Sequence, residues 1–297
     1  MYPRAFRYQR ATSVEHAVAL LHQYGEEARL LAGGASLIPL MKLRLVNPSV
    51  LIDIGRLDTL AGRVWAGDRL VIGALVRHAD VADDAEIAAR LPLLRDVAAQ
   101  IGDVQIRNMG TLGGALAETD PAGDWGPALL ALGGMVHAMG PAGERTIAAD
   151  DFFVDAYTTA LAPDEVLVAV TFPLPAARAG SAHLKFEVRA GDFAVANCSV
   201  ALTLDEAGRC ATIGVGLGGV GLVPVRVVQA EALLRGEEPT PERIAEAAAA
   251  VRECTEGFDD VRGSAAYRQH LGAVLFERAM AVALRRAAGE QVGVVHV

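Results

Sequence analysis

Cysteine is scarce in this chain. Only Cys198, Cys210 and Cys254 occur among 297 residues, odd in number and far apart. A disulfide framework or an iron–sulfur site needs closer multiples such as C-x-x-C, so neither is expected. The seven histidines, His16, His22, His78, His137, His183, His270 and His296, form no H-E-x-x-H and no close His/Cys group, which excludes the usual metal-site patterns. No G-x-S-x-G elbow and no Walker loop is present. Positive charge is not in excess: the formal net charge is -9. A duplex backbone requires a basic footprint, so nucleic acid is excluded as a partner, and an anionic membrane surface with it. No apolar run approaches the ~20 residues of a membrane span. Met1 to Arg10 lacks the apolar stretch of a signal peptide, so a cytoplasmic chain is expected. Aromatic residues are only 5%, yet 52% of residues are apolar, enough for cores built mainly of Ala, Val and Leu.

At roughly 100–200 residues per domain, the length suggests two domains. The two prolines and small residues of Pro173–Gly180 place the boundary there, giving 1–176 and 177–297, the first divided into about 1–58 and 59–176. Thr12 to Glu15 has the spacing of a capping box opening a helix that stops at Gly25. Ala28–Ala32 reads as a strand and Leu37–Leu45 as a helix with Pro39 in its first turn. Leu51–Ile54 is another strand. Val64-Trp65 and Leu70–Ala74 form a hairpin around Gly67-Asp68. Ala79–Ile101 reads as helix divided by Pro92. Arg107–Ala117 is rich in glycine and small residues, Pro127–Leu132 is helix, and Met135–Ala138 with Arg145–Ile147 flank a turn. Glu165–Phe172 is a strand. Beyond the boundary, Lys185–Val188, Ala194–Leu204 and Ala211–Leu217 read as antiparallel strands, followed by helices at Val225–Leu234, Pro241–Val251 and Ser264–Ala288. The class is mixed α+β, with glycine loops breaking strands around positions 33 and 113.

Those two loops carry the chemistry. A diphosphate can be held by converging backbone N–H groups rather than by lysines, which requires small residues and often positive φ. Ala32-Gly33-Gly34-Ala35-Ser36 lies at a strand-to-helix junction, where N–H groups are unpaired and the helix dipole favours an anion. Thr111-Leu112-Gly113-Gly114-Ala115 offers a second such surface, with the Thr111 hydroxyl as a further donor. Among 31 glycines, a Gly-Gly pair can also be an ordinary turn. Gly214-Val215-Gly216-Leu217-Gly218-Gly219 fits G-x-G-x-x-G, but the strand before it belongs to a hairpin and no helix opens from it. It is read as a strand leading to a crossing, not as a dinucleotide loop. Arg77-His78-Ala79-Asp80 is read as a strand-to-helix cap.

Leu30–Leu45 resembles the first FAD loop of the medium subunit of aerobic carbon monoxide dehydrogenase and its relatives. Ile106–Gly114, followed by Asp120-Pro121-Ala122-Gly123-Asp124, resembles the second. Asp151-Phe152-Phe153 with Tyr157 and Pro163–Leu167, then Lys185-Phe186 with Arg189 and Asp192-Phe193-Ala194, and Arg262-Gly263-Ser264 with Tyr267-Arg268, extend the likeness nearly end to end. The resemblance implies a two-subdomain FAD-binding fold of the vanillyl-alcohol oxidase type, followed by a C-terminal α+β domain in which helices cover an antiparallel sheet. It implies that Ala32 to Ser36 and Thr111 to Ala115 hold the pyrophosphate of FAD. Ile101 and Gly102 would lie beside the ring system, and Leu167 near the adenine or the isoalloxazine. Asp124 would accept a hydrogen bond from the ribityl chain or a neighbouring donor, cap the helix ahead of Pro127, or both. Lys185, Asp192 and Phe193 would approach the isoalloxazine, with a solvated strand position as the alternative for Lys185. The family often has Gln or His at position 35, Asn or Ser at 115 and Tyr at 193; here stand Ala35, Ala115 and Phe193.

The implied function is electron transfer through FAD within a molybdenum-dependent hydroxylase. A large molybdopterin subunit and a small subunit with [2Fe–2S] clusters would be the partners, in a dimer of heterotrimers, and no acid–base residue is named. A stand-alone flavoenzyme with Asp192 or Lys185 as base is the second reading. An assembly protein that has lost FAD, motivated by Ala35 and Ala115, is the third.

Overall fold

Short strands and helices alternate through the first third of the chain, because glycine, proline and capping residues recur before any element grows long. The computed structural model describes residues 2–297. Strands β1 (Arg7–Arg10), β2 (Ala28–Leu31) and β3 (Val50–Asp53) form a parallel sheet ordered β1-β3-β2. Helix α1 (Val14–Tyr24) buries Ala17, Val18, Leu20 and Leu21 in this unit's core, and α2 (Leu37–Lys42) follows β2. The start of α1 differs from the expected capping box. Ser13, not Thr12, is the cap, accepting from the His16 N–H at 3.1 Å, while Thr12 bonds the His16 ring. The α2 helix stops at Lys42, and Arg44 at φ 63° turns the chain.

The second unit is an antiparallel sheet ordered β4-β5-β10-β6-β7. Its first hairpin is β4 (Arg63–Ala66) and β5 (Arg69–Gly73), turning at Gly67 with φ 62°. The stretch expected as one divided helix is three: α3 (His78–Asp83), α4 (Ala85–Arg90) and α5 (Pro92–Ala99). The extra break is Asp84, whose carboxylate takes the N–H groups of Glu86 and Ile87 and pairs with Arg63, so the backbone starts afresh there. Next come α6 (Val104–Met109), α7 (Leu112–Glu118) and α8 (Trp125–Leu132). Gly113 and Gly114 therefore lie in the first turn of α7 rather than break a strand, since the Thr111 hydroxyl caps α7 through the Gly114 N–H at 3.1 Å. The hairpin β6 (Met135–Gly140) and β7 (Gly143–Ala148), the short α9 (Ala149–Phe152), β8 (Phe153–Asp155) and β9 (Thr158–Thr159), and the central β10 (Val166–Pro173) complete it.

The third unit is a four-stranded antiparallel sheet, β11 (Ala179–Phe186), β12 (Ala196–Leu204), β13 (Cys210–Gly218) and β14 (Val225–Arg226). Helices α10 (Val228–Leu234), α11 (Pro241–Glu253) and α12 (Ala265–Ala287) follow. The helix expected from Val225 begins three residues later, after β14. Ala182, Leu184, Cys198, Val200 and Leu202 face the apolar core with α12. By the two-residue period of a strand, the alternate positions 181, 183 and 185 of β11 and 197 and 199 of β12 face the other way. All five are polar and buried. Gly214, Gly216 and Gly218 share that face through the β12–β13 register. A Cβ on Gly214 would lie 2.1 Å from the Ala131 carbonyl oxygen, and one on Gly216 2.1 Å from that of Pro127. The G-x-G-x-x-G run is thus a bare strip on which α8 rests its backbone. Gly216→Ala is expected to cost about 1–3 kcal/mol, the usual range for overpacking, read from denaturant unfolding. The class is mixed α+β, two sheet-containing units followed by a C-terminal sheet-and-helix unit. Among the described residues, no helix is long and apolar enough to cross a membrane.

Candidate cofactor site

The first glycine loop leaves β2 at its carboxyl end and enters α2. Gly34 adopts φ 75°, a region that favours glycine. Among the described residues, no acceptor takes the N–H groups of Gly33, Gly34, Ala35 or Ser36. The second run meets it directly. A Cβ on Gly33 would lie 1.9 Å from the Met109 carbonyl oxygen and 3.1 Å from the Gly110 Cα. One on Gly114 would lie 3.9 Å from the Ala32 Cβ. The two segments, far apart in sequence, share one cradle.

They are not equivalent. In the second run the amides are already used: Leu112 donates to the Val76 carbonyl and Gly113 to that of Ala74, both at 2.9 Å, and Ala115 donates within α7 to Thr111. The Thr111 hydroxyl accepts from Gly114, which leaves its own hydrogen free to point elsewhere. The first loop offers bare donors, while the second offers a shaped wall with one hydroxyl. Arg77 braces that wall by donating to the Asn108 carbonyl at 2.6 Å and that of Met109 at 3.1 Å. The Arg77–Asp80 run does cap α3, and it also supports the cradle. His78 is buried, and burial holds its pKa down at about 4. It is therefore neutral at pH 7 and accepts the Trp125 indole N–H at 3.1 Å.

At the end of α5, Ile101 and Gly102 form a turn with Gly102 at φ 50°. Arg107 donates to both carbonyls, at 3.1 and 3.0 Å. Gly191 lies against this turn, a Cβ there being 3.2 Å from the Gly102 carbonyl oxygen. The 187–195 loop, with Asp192 and the 48% exposed Phe193, therefore sits beside Ile101 and Gly102. Leu167 is buried in the second apolar core, where β10 shifts register against β6.

Asp124 and Lys185 form the buried polar centre behind the turn. Asp124 precedes α8, but its side chain makes no cap to the helix, contrary to the N-cap reading. Its carboxylate instead faces the third unit, where Asn197 Nδ2 donates at 2.7 Å and Lys185 Nζ at 3.0 Å. The Lys185 side chain is only 2% exposed, which rules out the solvated-strand reading. Its ammonium also donates to the Gln100 carbonyl at 3.1 Å. Glu187 Oε2 lies 3.2 Å away, close enough for charge attraction but poorly aligned for a hydrogen bond. Burial pushes the Asp124 carboxyl up, but Lys185 and then His183 outweigh it and hold it below the ordinary range. His183 Nε2 stands 3.6 Å from the same carboxylate, beyond direct hydrogen-bond reach, and its Nδ1 meets Ser199 at 2.9 Å. In the 120–124 turn, Asp120 accepts from the Ala122 N–H at 2.8 Å and the Tyr157 hydroxyl at 3.0 Å. Burial, then Asp120, push the Tyr157 phenol up to about 12.

Gln100, His183 and Asn197 were missed from sequence. For His183 and Asn197 the signal was the row of polar residues at alternate positions of otherwise apolar strands, while Gln100, at the end of α5, stood outside any such pattern. A cleft of about 1500 Å³ lies between α4, α5 and the end of α12, and none of the residues of the two glycine loops lines it.

Known proteins are similar to this chain over nearly its whole length. Residues 4–175 match the FAD binding domain in molybdopterin dehydrogenase, and residues 182–283 match the CO dehydrogenase flavoprotein C-terminal domain. The chain is 39% identical to the medium chain of carbon monoxide dehydrogenase from Afipia carboxidovorans, over 97% of this chain and 99% of the relative. It is 40% identical to the medium subunit of nicotine 6-hydroxylase from Paenarthrobacter nicotinovorans, over 92% and 95% of the two chains. Its structure resembles a chain of carbon monoxide dehydrogenase from Hydrogenophaga pseudoflava with a TM-score of 0.94 and 40% identity, over 96% of this chain and 99% of that one.

Proposed function

Because the chain belongs to the family of FAD-binding flavoprotein subunits of molybdopterin-dependent dehydrogenases, we propose that it is the FAD-carrying, electron-transferring oxidoreductase subunit of a molybdenum-dependent hydroxylase. The observation that carries this reading is the contact of Gly33 with Met109 and Gly110, which brings the loop with four unpaired amides against the run that leads into Thr111. A doubly anionic diphosphate fits such a cradle, because bare N–H groups supply the hydrogen bonds.

In this reading Ala32 to Ser36 donate to the pyrophosphate, and Thr111 to Ala115 shape the wall behind it. Ile101, Gly102, Asp192 and Phe193 border the ring system, Leu167 packs at its side of the sheet, and Asp124 with Lys185 form the charged floor. Ala35 and Ala115 leave only backbone contacts at their positions. Bound FAD supplies the electron-carrying chemistry, and the protein supplies binding and electrostatics. Lys185 is committed to acceptors on two other segments and faces the Glu187 carboxylate, which disfavours it as the base of a stand-alone flavoenzyme. The partners are a large molybdopterin subunit and a small iron–sulfur subunit, arranged as a dimer of heterotrimers in the cytoplasm. The core of Ala182 to Ala287 supports the boundary at 177, while Leu60, Leu75 and Val166 join residues 11–57 in one core, so the proposed subdomains 1–58 and 59–176 share an apolar interior.

Reconstitution tests this. The purified chain incubated with FAD is expected to gain the visible flavin band and to be inert toward organic substrates. Adding the iron–sulfur and molybdopterin subunits is expected to restore substrate-to-acceptor turnover. Full turnover by the lone chain would contradict the subunit role, and failure to take up FAD would contradict the cofactor.

A further inference from the structure

The run Arg262-Gly263-Ser264 with Tyr267-Arg268 touches neither glycine loop, yet it delivers a charge into the interior. Ser264 caps α12 by accepting from the Tyr267 N–H at 3.2 Å. The next residue, Arg268, has a side chain only 1% exposed. A buried guanidinium is costly unless its donors are met. Nη1 donates to the carbonyls of Val195 and, at 3.0 Å, Gly219. Nη2 donates to Asp260 at 2.6 Å, and the Phe258 ring centroid lies 4.0 Å from the guanidinium carbon.

The two carbonyls belong to different segments that both reach the cofactor site. Val195 closes the base of the 187–195 loop, its N–H donating to the Phe186 carbonyl at 2.8 Å. That loop carries Asp192 and Phe193 and rests on Gly102 through Gly191. Gly219 donates to the Pro121 carbonyl at 2.8 Å, within the turn that ends at Asp124. A Cβ on Gly219 would lie 2.6 Å from the Val195 carbonyl oxygen, so the segments are in direct contact. Without a cation, two buried carbonyl dipoles would converge there with nothing to accept from.

We propose that Arg268 is a positioning residue that locks the Asp192–Phe193 loop to the Pro121–Asp124 turn, and so sets the width of the ring-binding end of the site. The proposal rests on the FAD reading above, because it assigns these segments to the same cofactor. Asp260 and Phe258 hold the guanidinium in place.

Arg268→Gln, Arg268→Lys and Asp260→Asn in the full chain test it. Hydrogen exchange is followed at the amides of Gly191, Asp192 and Val195, each of which donates within the loop. In R268Q these are expected to exchange roughly 10-fold faster or more, while amides of β10 hold their rates. FAD affinity, read by flavin fluorescence, is expected to fall by a similar factor. R268K keeps the charge but loses the fork and is expected to recover part of both. D260N removes only the counter-charge and should fall between wild type and R268Q; it carries the test if R268Q does not fold. Unchanged exchange in the loop, or equal acceleration throughout the chain, overturns the proposal. If the wild-type chain takes up no FAD, the cofactor reading fails, while the exchange rates still decide the role of Arg268.

Discussion

Gly33→Ala is expected to cost the chain its FAD. The added methyl carbon would lie 1.9 Å from the Met109 carbonyl oxygen, far inside contact distance, and both partners are backbone. The first loop and the α6–α7 connection must then move apart, and the bare amides leave the wall they face. Losing two hydrogen bonds to a charged group, at about 1.5–3 kcal/mol each, corresponds to affinity lower by on the order of 100-fold or more. Flavin absorbance after reconstitution reads the loss, and circular dichroism checks that the fold survives. Gly62→Ala is the control, because a Cβ there meets open space. Normal FAD uptake by G33A would mean that the two loops do not act as one cradle.

The second large effect is on stability. Lys185→Met removes the ammonium that holds Asp124 ionised among buried groups. Breaking one side of a buried ion pair typically costs 3–5 kcal/mol, roughly, and denaturant unfolding at neutral pH is expected to show it. The pH dependence identifies the cause. In the wild type the folded Asp124 carboxyl titrates below its ordinary 3.8, so its contribution is present above that value and disappears as pH falls further. In the variant, burial acts with less opposition and raises the carboxyl pKa above 3.8, so protonation relieves the penalty as pH falls through the raised value. The gap between the two proteins should therefore narrow in acid. A gap that stays constant from neutral to acid pH would show that Lys185 matters by packing and not by charge.

Both residues were legible in the sequence, but to different depths. Small residues without side chains announced where a backbone must come close, so Gly33 and Gly34 could be placed at a strand end and assigned an anion. That Gly33 abuts Met109 and Gly110 could not be read, because it depends on α6, which a glycine-rich stretch concealed. The hydroxyl of Thr111 was seen as a donor. Its role as a helix cap was hidden, because capping is a property of the element that follows. Lys185 was noticed, and its burial was not. Its partners Gln100 and Asp124 come from two other segments, and only the packing of the third unit's sheet on α5 and α8 brings them within reach. Helix ends drifted for a similar reason. Asp84 breaks the α3–α4 stretch because Arg63, from a distant hairpin, holds its carboxylate.

The bare strip of Gly214, Gly216 and Gly218 carries a constraint of its own. A joint made of side chains can absorb a substitution by changing a rotamer, but at Gly214 and Gly216 main chain lies against main chain and there is no slack. A side chain at either of these two positions must therefore be matched by a shift of the α8 backbone, and with it Asp124, so a stripe that does no chemistry still sets where the buried carboxylate stands.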